Sequence, residues 1–90
     1  MGTSRCLVVV PTHNEATNIE EILARLHEHV PEADVLVIDD ASTDATRSLA
    51  RAALRPNDRM IERETKSGLG NAYLHAFHIG LDEGYDLLVQ

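Results

Sequence analysis

Two adjacent carboxylates, Asp39 and Asp40, close the apolar run Leu36-Val-Ile38 and lead into Ala41-Ser-Thr-Asp44. Successive side chains of an extended segment point to opposite faces. One acid of the pair is therefore placed to face a cleft at the end of the segment while the other turns into the loop. A carboxylate such as Asp40 is a good fixed acceptor for the ring N–H of a purine or pyrimidine. The same pair also suits a plain polar strand end before a helix cap. Glu15 could accept hydrogen bonds from a ribose or a base, or simply favour the start of a helix through its charge. Lys66 could neutralise a phosphate, or be a solvated loop lysine. His75 and His78 are spaced i, i+3, but no third ligand is placed with them. They read as surface residues, as do His27 and His29.

Several chemistries are excluded by spacing. The segment from Pro11 to Asn18 contains no glycine, whereas a dinucleotide fingerprint needs a Gly-rich turn after the first strand. Gly68-x-Gly70 lacks a third glycine and follows a different strand, and no Gly-Lys-Ser/Thr run follows it to make a P-loop. A phosphorylated receiver domain would carry its acid pair after the first strand, with a further Asp and a Lys after later strands. Here the pair follows the second strand and the later groups are missing.

The elements that must position these residues alternate in type. Cys6-Leu-Val-Val-Val10 is a continuous apolar run, as expected of a strand covered on both faces, and Pro11 is expected to end it. Thr17-Asn-Ile-Glu20 reads as a capping box for a helix running to about Val30, with Ile19, Ile22, Leu23, Leu26 and Val30 as its inner stripe. Pro31 stops it. Val35 to Ile38 is a second buried strand. Ser42 or Thr43 caps a second helix, with Asp44 in its first turn and Ala45, Leu49, Ala52 and Ala53 facing inward. Pro56-Asn-Asp58 is a turn, and Met60 to Arg63 a short strand near a sheet edge. Thr65 to Asn71 is a loop before a third helix, which ends near Gly84, and Tyr85 to Val89 is a fourth strand. The order βαβαβαβ implies an α/β fold with a parallel sheet, whose ligand site lies beyond the carboxyl ends of the strands.

Composition narrows the partners. The 90 residues allow one small domain, and 43% are hydrophobic but only 3% aromatic, so the core is aliphatic. Fifteen acids against eight bases give a formal charge of −7, which argues against nucleic-acid binding through phosphates. The single cysteine, Cys6, cannot form an internal disulfide and reads as a core residue in a reducing compartment. No signal-peptide pattern or membrane-span-length apolar stretch is present, so the chain reads as cytoplasmic. The sheet ends at Gln90 on its functional edge, so residues 1–90 read as a single partial domain, the N-terminal piece of a longer protein.

Val8-Val-Val-Pro-Thr-His-Asn-Glu15, Val37-Ile-Asp-Asp-Ala-Ser-Thr-Asp44 and Lys66-Ser-Gly-Leu-Gly-Asn-Ala-Tyr73 occur in an order that resembles the start of family-two GT-A glycosyltransferases. The third segment is similar to that of the polyprenyl-phosphate (dolichyl-phosphate) mannose synthases. The resemblance implies the nucleotide-binding half of a GT-A, Rossmann-like fold. It also implies transfer of a sugar, mannose from GDP-mannose first among the options, to a polyprenyl phosphate at the cytoplasmic membrane face. Pro11, His13, Glu15, Ile38 and Asp40 match the positions that hold the guanosine. Asp39 becomes structural or loop-ordering, and Lys66, Gly68 and Gly70 lie towards the donor. His13 replaces the usual tyrosine, which weakens the expected stacking. Ala41 replaces a glycine, a small change unless that backbone needs positive φ. The family's Mg²⁺ or Mn²⁺ ligands belong to a D-x-D-type motif expected just beyond Gln90, and the acceptor site lies there too. No catalytic residue and no metal ligand is therefore expected within the chain, which alone should be inert. The alternatives are a noncatalytic α/β interaction module or degenerate remnant, or a family-two transferase using a UDP-sugar.

Overall fold

The two strongest apolar runs lie side by side. The computed structural model describes residues 6–64, 74, 78 and 87–89. In chain order they form β1 (Cys6–Thr12), α1 (Ile19–His29), β2 (Asp34–Asp40), α2 (Thr46–Ala53), β3 (Arg59–Arg63) and β4 (Leu87–Val89). The strands make one sheet in the order β3-β2-β1-β4, with every described pairing parallel. The α/β parallel architecture is as expected. The third helix, and with it Lys66, Gly68, Gly70 and His75, falls outside the described residues, except that Leu74 and His78 are helical.

Burial explains the continuous apolarity of the inner strands. Val8, Val10, Val35 and Val37 pack with Ile19 and Leu23 of α1 and Ala50 of α2. Leu7, Val9, Leu36 and Ile38 alternate with them and are buried as well. Strand side chains alternate between faces, so β1 and β2 are covered on both sides, the environment typical of parallel strands.

Several local expectations are corrected. Pro11 does not end β1, which continues to Thr12 with Pro11 opposite Ile38 and Thr12 opposite Asp39. The described ladder with β4 covers only Cys6 to Val8. Thr17 does not cap α1. Asn18 is the N-cap residue and makes no side-chain cap bond; the carbonyl of Glu15 instead accepts from the N–H groups of Asn18 and Ile19. Helix α2 begins at Thr46 rather than at Ser42 or Thr43, and Asp44 accepts from the Thr46 N–H at 2.9 Å. Ile22, Ala45 and Ala52 are exposed, so both helices bury narrower stripes than expected.

The end of the sheet away from the acid pair is pinned by Asp58. Its Oδ1 accepts from the Val35 N–H at 2.8 Å, and its Oδ2 accepts from the Arg55 N–H at 2.9 Å and contacts His27 Nε2 at 2.7 Å. His27 is therefore not a solvated surface residue: its side chain is 17% exposed. Burial pushes the Asp58 carboxyl up, but the Arg55 and Val35 amides and His27 outweigh it and hold the group below the usual carboxylate range. A lowered pKa adds stability that is complete above the unfolded-state value and is lost as pH falls through the folded-state value. Asp58→Asn should cost about 2 kcal/mol at neutral pH. It should also flatten the loss of stability between about pH 5 and pH 2. Urea denaturation across that range checks this, and parallel curves for the two proteins would count against the pin.

Candidate functional site

The parallel register brings three strand ends to one edge. Thr12 stands opposite Asp39, and Asp40 opposite Arg63. The alternation along β2 then separates the two acids. Asp39 shares the face of Val35 and Val37 that packs against the helices, whereas Asp40 shares the face of Leu36 and Ile38.

Asp39 is fully buried and fully engaged. It accepts from Thr12 Oγ1 at 2.6 Å, Ser42 Oγ at 2.5 Å, the Ser42 N–H at 3.1 Å and Arg47 Nε at 2.6 Å. Burial pushes its carboxyl up, but the bonds from Arg47, Ser42 and Thr12 prevail and hold it below the usual carboxylate range. Arg47 also donates to the Arg63 carbonyl at 2.8 Å and pairs with Glu62 at 3.3 Å. A cation in the first turn of a helix opposes the helix dipole. Here a buried carboxylate offsets that cost, because bonds to charged groups are the stronger term.

This centre closes the corner after β2. Ala41 has φ +51° and donates its N–H to the Arg63 carbonyl at 2.9 Å. The positive φ that would make glycine preferable at position 41 is thus required.

The loops after β1 and β2 are laced together through short polar side chains. The Asn14 N–H donates to Ser42 Oγ at 2.8 Å, and Asn14 Oδ1 accepts from the Thr43 N–H at 2.8 Å. The Glu15 N–H donates to Thr46 Oγ1 at 2.7 Å, while Thr46 Oγ1 donates in turn to Asp44. The Ala16 N–H reaches Asp44 Oδ2 at 3.3 Å. His13 Nδ1 donates to the Asp40 carbonyl at 2.5 Å, which places its proton on that nitrogen. Asn14 has φ +53°, a conformation asparagine tolerates better than most residues.

Asp40 differs from its neighbour. Its side chain is 8% exposed, and Oδ1 lies 3.0 Å from Arg63 Nε. The charges pair, but the N–H is not aligned on the oxygen. Oδ1 is the one buried side-chain polar atom among the described residues without a hydrogen bond. A buried acceptor with spare capacity, at the carboxyl edge of a parallel sheet, is suited to an N–H of a ligand.

The structure therefore brings Pro11, His13, Glu15, Ile38 and Asp40 to one edge, with different accessibility. His13 and Glu15 are half-buried, Pro11 is half-buried within β1, and the Ile38 side chain is fully buried beneath the corner. Sequence reasoning missed Arg47 and Arg63. The signal for Arg63 was register: β3 laid parallel to β2 sets Glu62-Arg63 against Asp39-Asp40. No group of three or more His, Cys, Asp or Glu that could hold a metal occurs among the described residues. None of the described helices is long and apolar enough to cross a membrane.

Comparisons with known proteins show the family and the fold. Residues 7–82 match the family described as glycosyl transferase family 2. The chain is 49% identical to an undecaprenyl-phosphate mannosyltransferase of Micrococcus luteus over 88 residues, 96% of this chain and 36% of that protein. It is 45% identical to a polyprenol monophosphomannose synthase of Mycolicibacterium smegmatis over 91 residues, 98% of this chain and 34% of that one. The chain thus spans about a third of the length of these relatives. A mannosyltransferase of Pyrobaculum calidifontis, solved with GDP-Man and Mn²⁺, superimposes with a TM-score of 0.76 at 32% identity, covering 88% of this chain and 25% of that one.

Three stability outcomes follow from the corner and its surroundings. Asp39→Asn should cost about 3 kcal/mol, because it leaves Arg47 without its buried partner. Arg51→Met, which breaks an exposed pair with Glu62, should cost under about 1 kcal/mol. Ala41→Gly should stabilise by about 0.5–1 kcal/mol, relief of the left-handed backbone exceeding the entropy gained by the unfolded chain. Urea denaturation of the three variants checks both the ranking and the sign.

Proposed function

The chain belongs to glycosyl transferase family 2, and we propose that the protein it comes from transfers mannose from GDP-mannose to a polyprenyl phosphate. The observation that carries the nucleotide reading is Asp40, a buried carboxylate at the ligand edge of the sheet whose Oδ1 is ion-paired with Arg63 but accepts no hydrogen bond. A solved relative with GDP-Man in the complex supports the choice of donor, and two relatives named for polyprenol or undecaprenyl phosphate support the choice of acceptor.

In this reading Asp40 accepts an N–H of the base, and Pro11, His13 and Glu15 flank the nucleoside. Asp39, Arg47 and Ser42 hold the corner still, so the carboxylate does not have to be ordered when the ligand arrives. The acceptor phosphate oxygen forms a bond to the anomeric carbon as the bond to the GDP oxygen breaks, with inversion. The electron pair of the broken bond leaves on GDP. A divalent ion stabilises departing diphosphate charge in transferases of this kind. The described residues offer no group of three or more His, Cys, Asp or Glu to hold one. Lys66, Gly68 and Gly70 are proposed to lie on the donor side, and the reaction is proposed to occur at the cytoplasmic membrane face, a lipid acceptor supporting a membrane surface.

Calorimetry on the full-length protein tests the donor. GDP should bind more tightly than UDP, and Asp40→Asn should weaken GDP by about tenfold or more. The 90-residue chain alone should form no product from radiolabelled GDP-mannose and polyprenyl phosphate, while the full-length protein turns over. Tighter binding of UDP, or product from the isolated chain, would contradict the proposal.

A further inference from the structure

We infer that Arg63 is a specificity-determining residue that acts with Asp40 to read a ring N–H beside an exocyclic carbonyl. The inference rests on the reading of Asp40 as the base acceptor. Arg63 ends β3 in register with Asp40, so both side chains leave the sheet on one face. The Arg63 backbone is fixed twice over, because its carbonyl accepts from the Ala41 N–H and from Arg47. Its side chain is 17% exposed, and Nε stands 3.0 Å from Asp40 Oδ1 without donating to it. The site thus presents an acceptor needing a donor beside a cation with N–H groups to give.

That pair has a polarity. Guanine offers a ring N–H, which would donate to Asp40, next to an exocyclic oxygen, which would accept from Arg63. Hypoxanthine offers the same edge without the exocyclic amino group. Adenine reverses the order, bringing a ring nitrogen lone pair against the Asp40 carboxylate. A buried polar site rejects a ligand that leaves its groups unpaired. Arg63 therefore makes the carbonyl part of what is recognised, and the exocyclic amino group of guanine is dispensable.

The test is calorimetry on the full-length protein with GDP, inosine diphosphate and ADP, for wild type, Arg63→Met, Arg63→Lys and Asp40→Asn. Wild type should bind inosine diphosphate within about threefold of GDP, and ADP at least about tenfold more weakly. Arg63→Met should lose about tenfold for GDP and inosine diphosphate but not for ADP, and so narrow the selectivity. Arg63→Lys should recover part of the loss. A loss equal for all three nucleotides in Arg63→Met would mark a merely structural arginine and overturn the inference. So would a collapse of inosine diphosphate binding to wild type, which needs no variant to fold. GDP binding that depends on Asp40 but not on Arg63 overturns this inference alone. GDP binding untouched in Asp40→Asn overturns the reading of Asp40 beneath it.

Discussion

The buried charge of Asp39 is the constraint on which the functional edge depends. A carboxylate taken out of water is costly unless its charge is paired and its lone pairs are filled. Arg47, Thr12 and Ser42 meet that demand from a helix, the neighbouring strand and the following loop. Each of those groups is fixed in turn by answering it. Ser42 holds the Asn14 N–H, Arg47 holds the end of β3 through the Arg63 carbonyl, and the corner at Ala41 is bent into the left-handed region. The neighbouring acid then emerges from that corner with one oxygen ion-paired to Arg63 but accepting no hydrogen bond.

The two aspartates illustrate how the pleat divides labour. Adjacent in sequence, they lie on opposite faces of β2. The face against the helices brings Asp39 under Arg47, and the other brings Asp40 beside Arg63. One acid spends its hydrogen-bonding capacity on the fold. The other, ion-paired with Arg63, is the one proposed to meet a ligand. Membership of glycosyl transferase family 2 gives this arrangement its context: the chain covers about a third of the length of the two mannosyltransferase relatives and carries the strand ends proposed to hold a nucleotide.

Much of this was legible in the sequence, for reasons that can be named. The runs ending at Val10 and Ile38 read as strands buried on both faces because their apolarity is continuous, and the alternation with helices implied a parallel sheet. The acid pair could be divided into two roles from strand periodicity. What failed was local chemistry overridden by tertiary contacts. Ser42 and Thr43 have the side chains of helix caps, but the Asn14 loop uses them across the gap. Pro11 reads as a strand stop, yet β1 runs through it, in register with Ile38 of β2, to Thr12. Arg63 was invisible because its importance comes from register between β2 and β3, which no short window contains, and Arg47 because it comes from how α2 packs over the buried Asp39. His27 looked like a surface residue until Asp58 met it across 31 positions.

A crystal structure of the full-length protein with GDP-mannose tests the central claim most directly. The account predicts a base N–H at about 2.9 Å from Asp40 Oδ1. Asp39 should still be held by Arg47, Thr12 and Ser42, and the Ala41 corner should be unmoved. A base seated away from β2, with Asp40 Oδ1 still unpartnered, would contradict it. So would a corner that rearranges to admit the nucleotide.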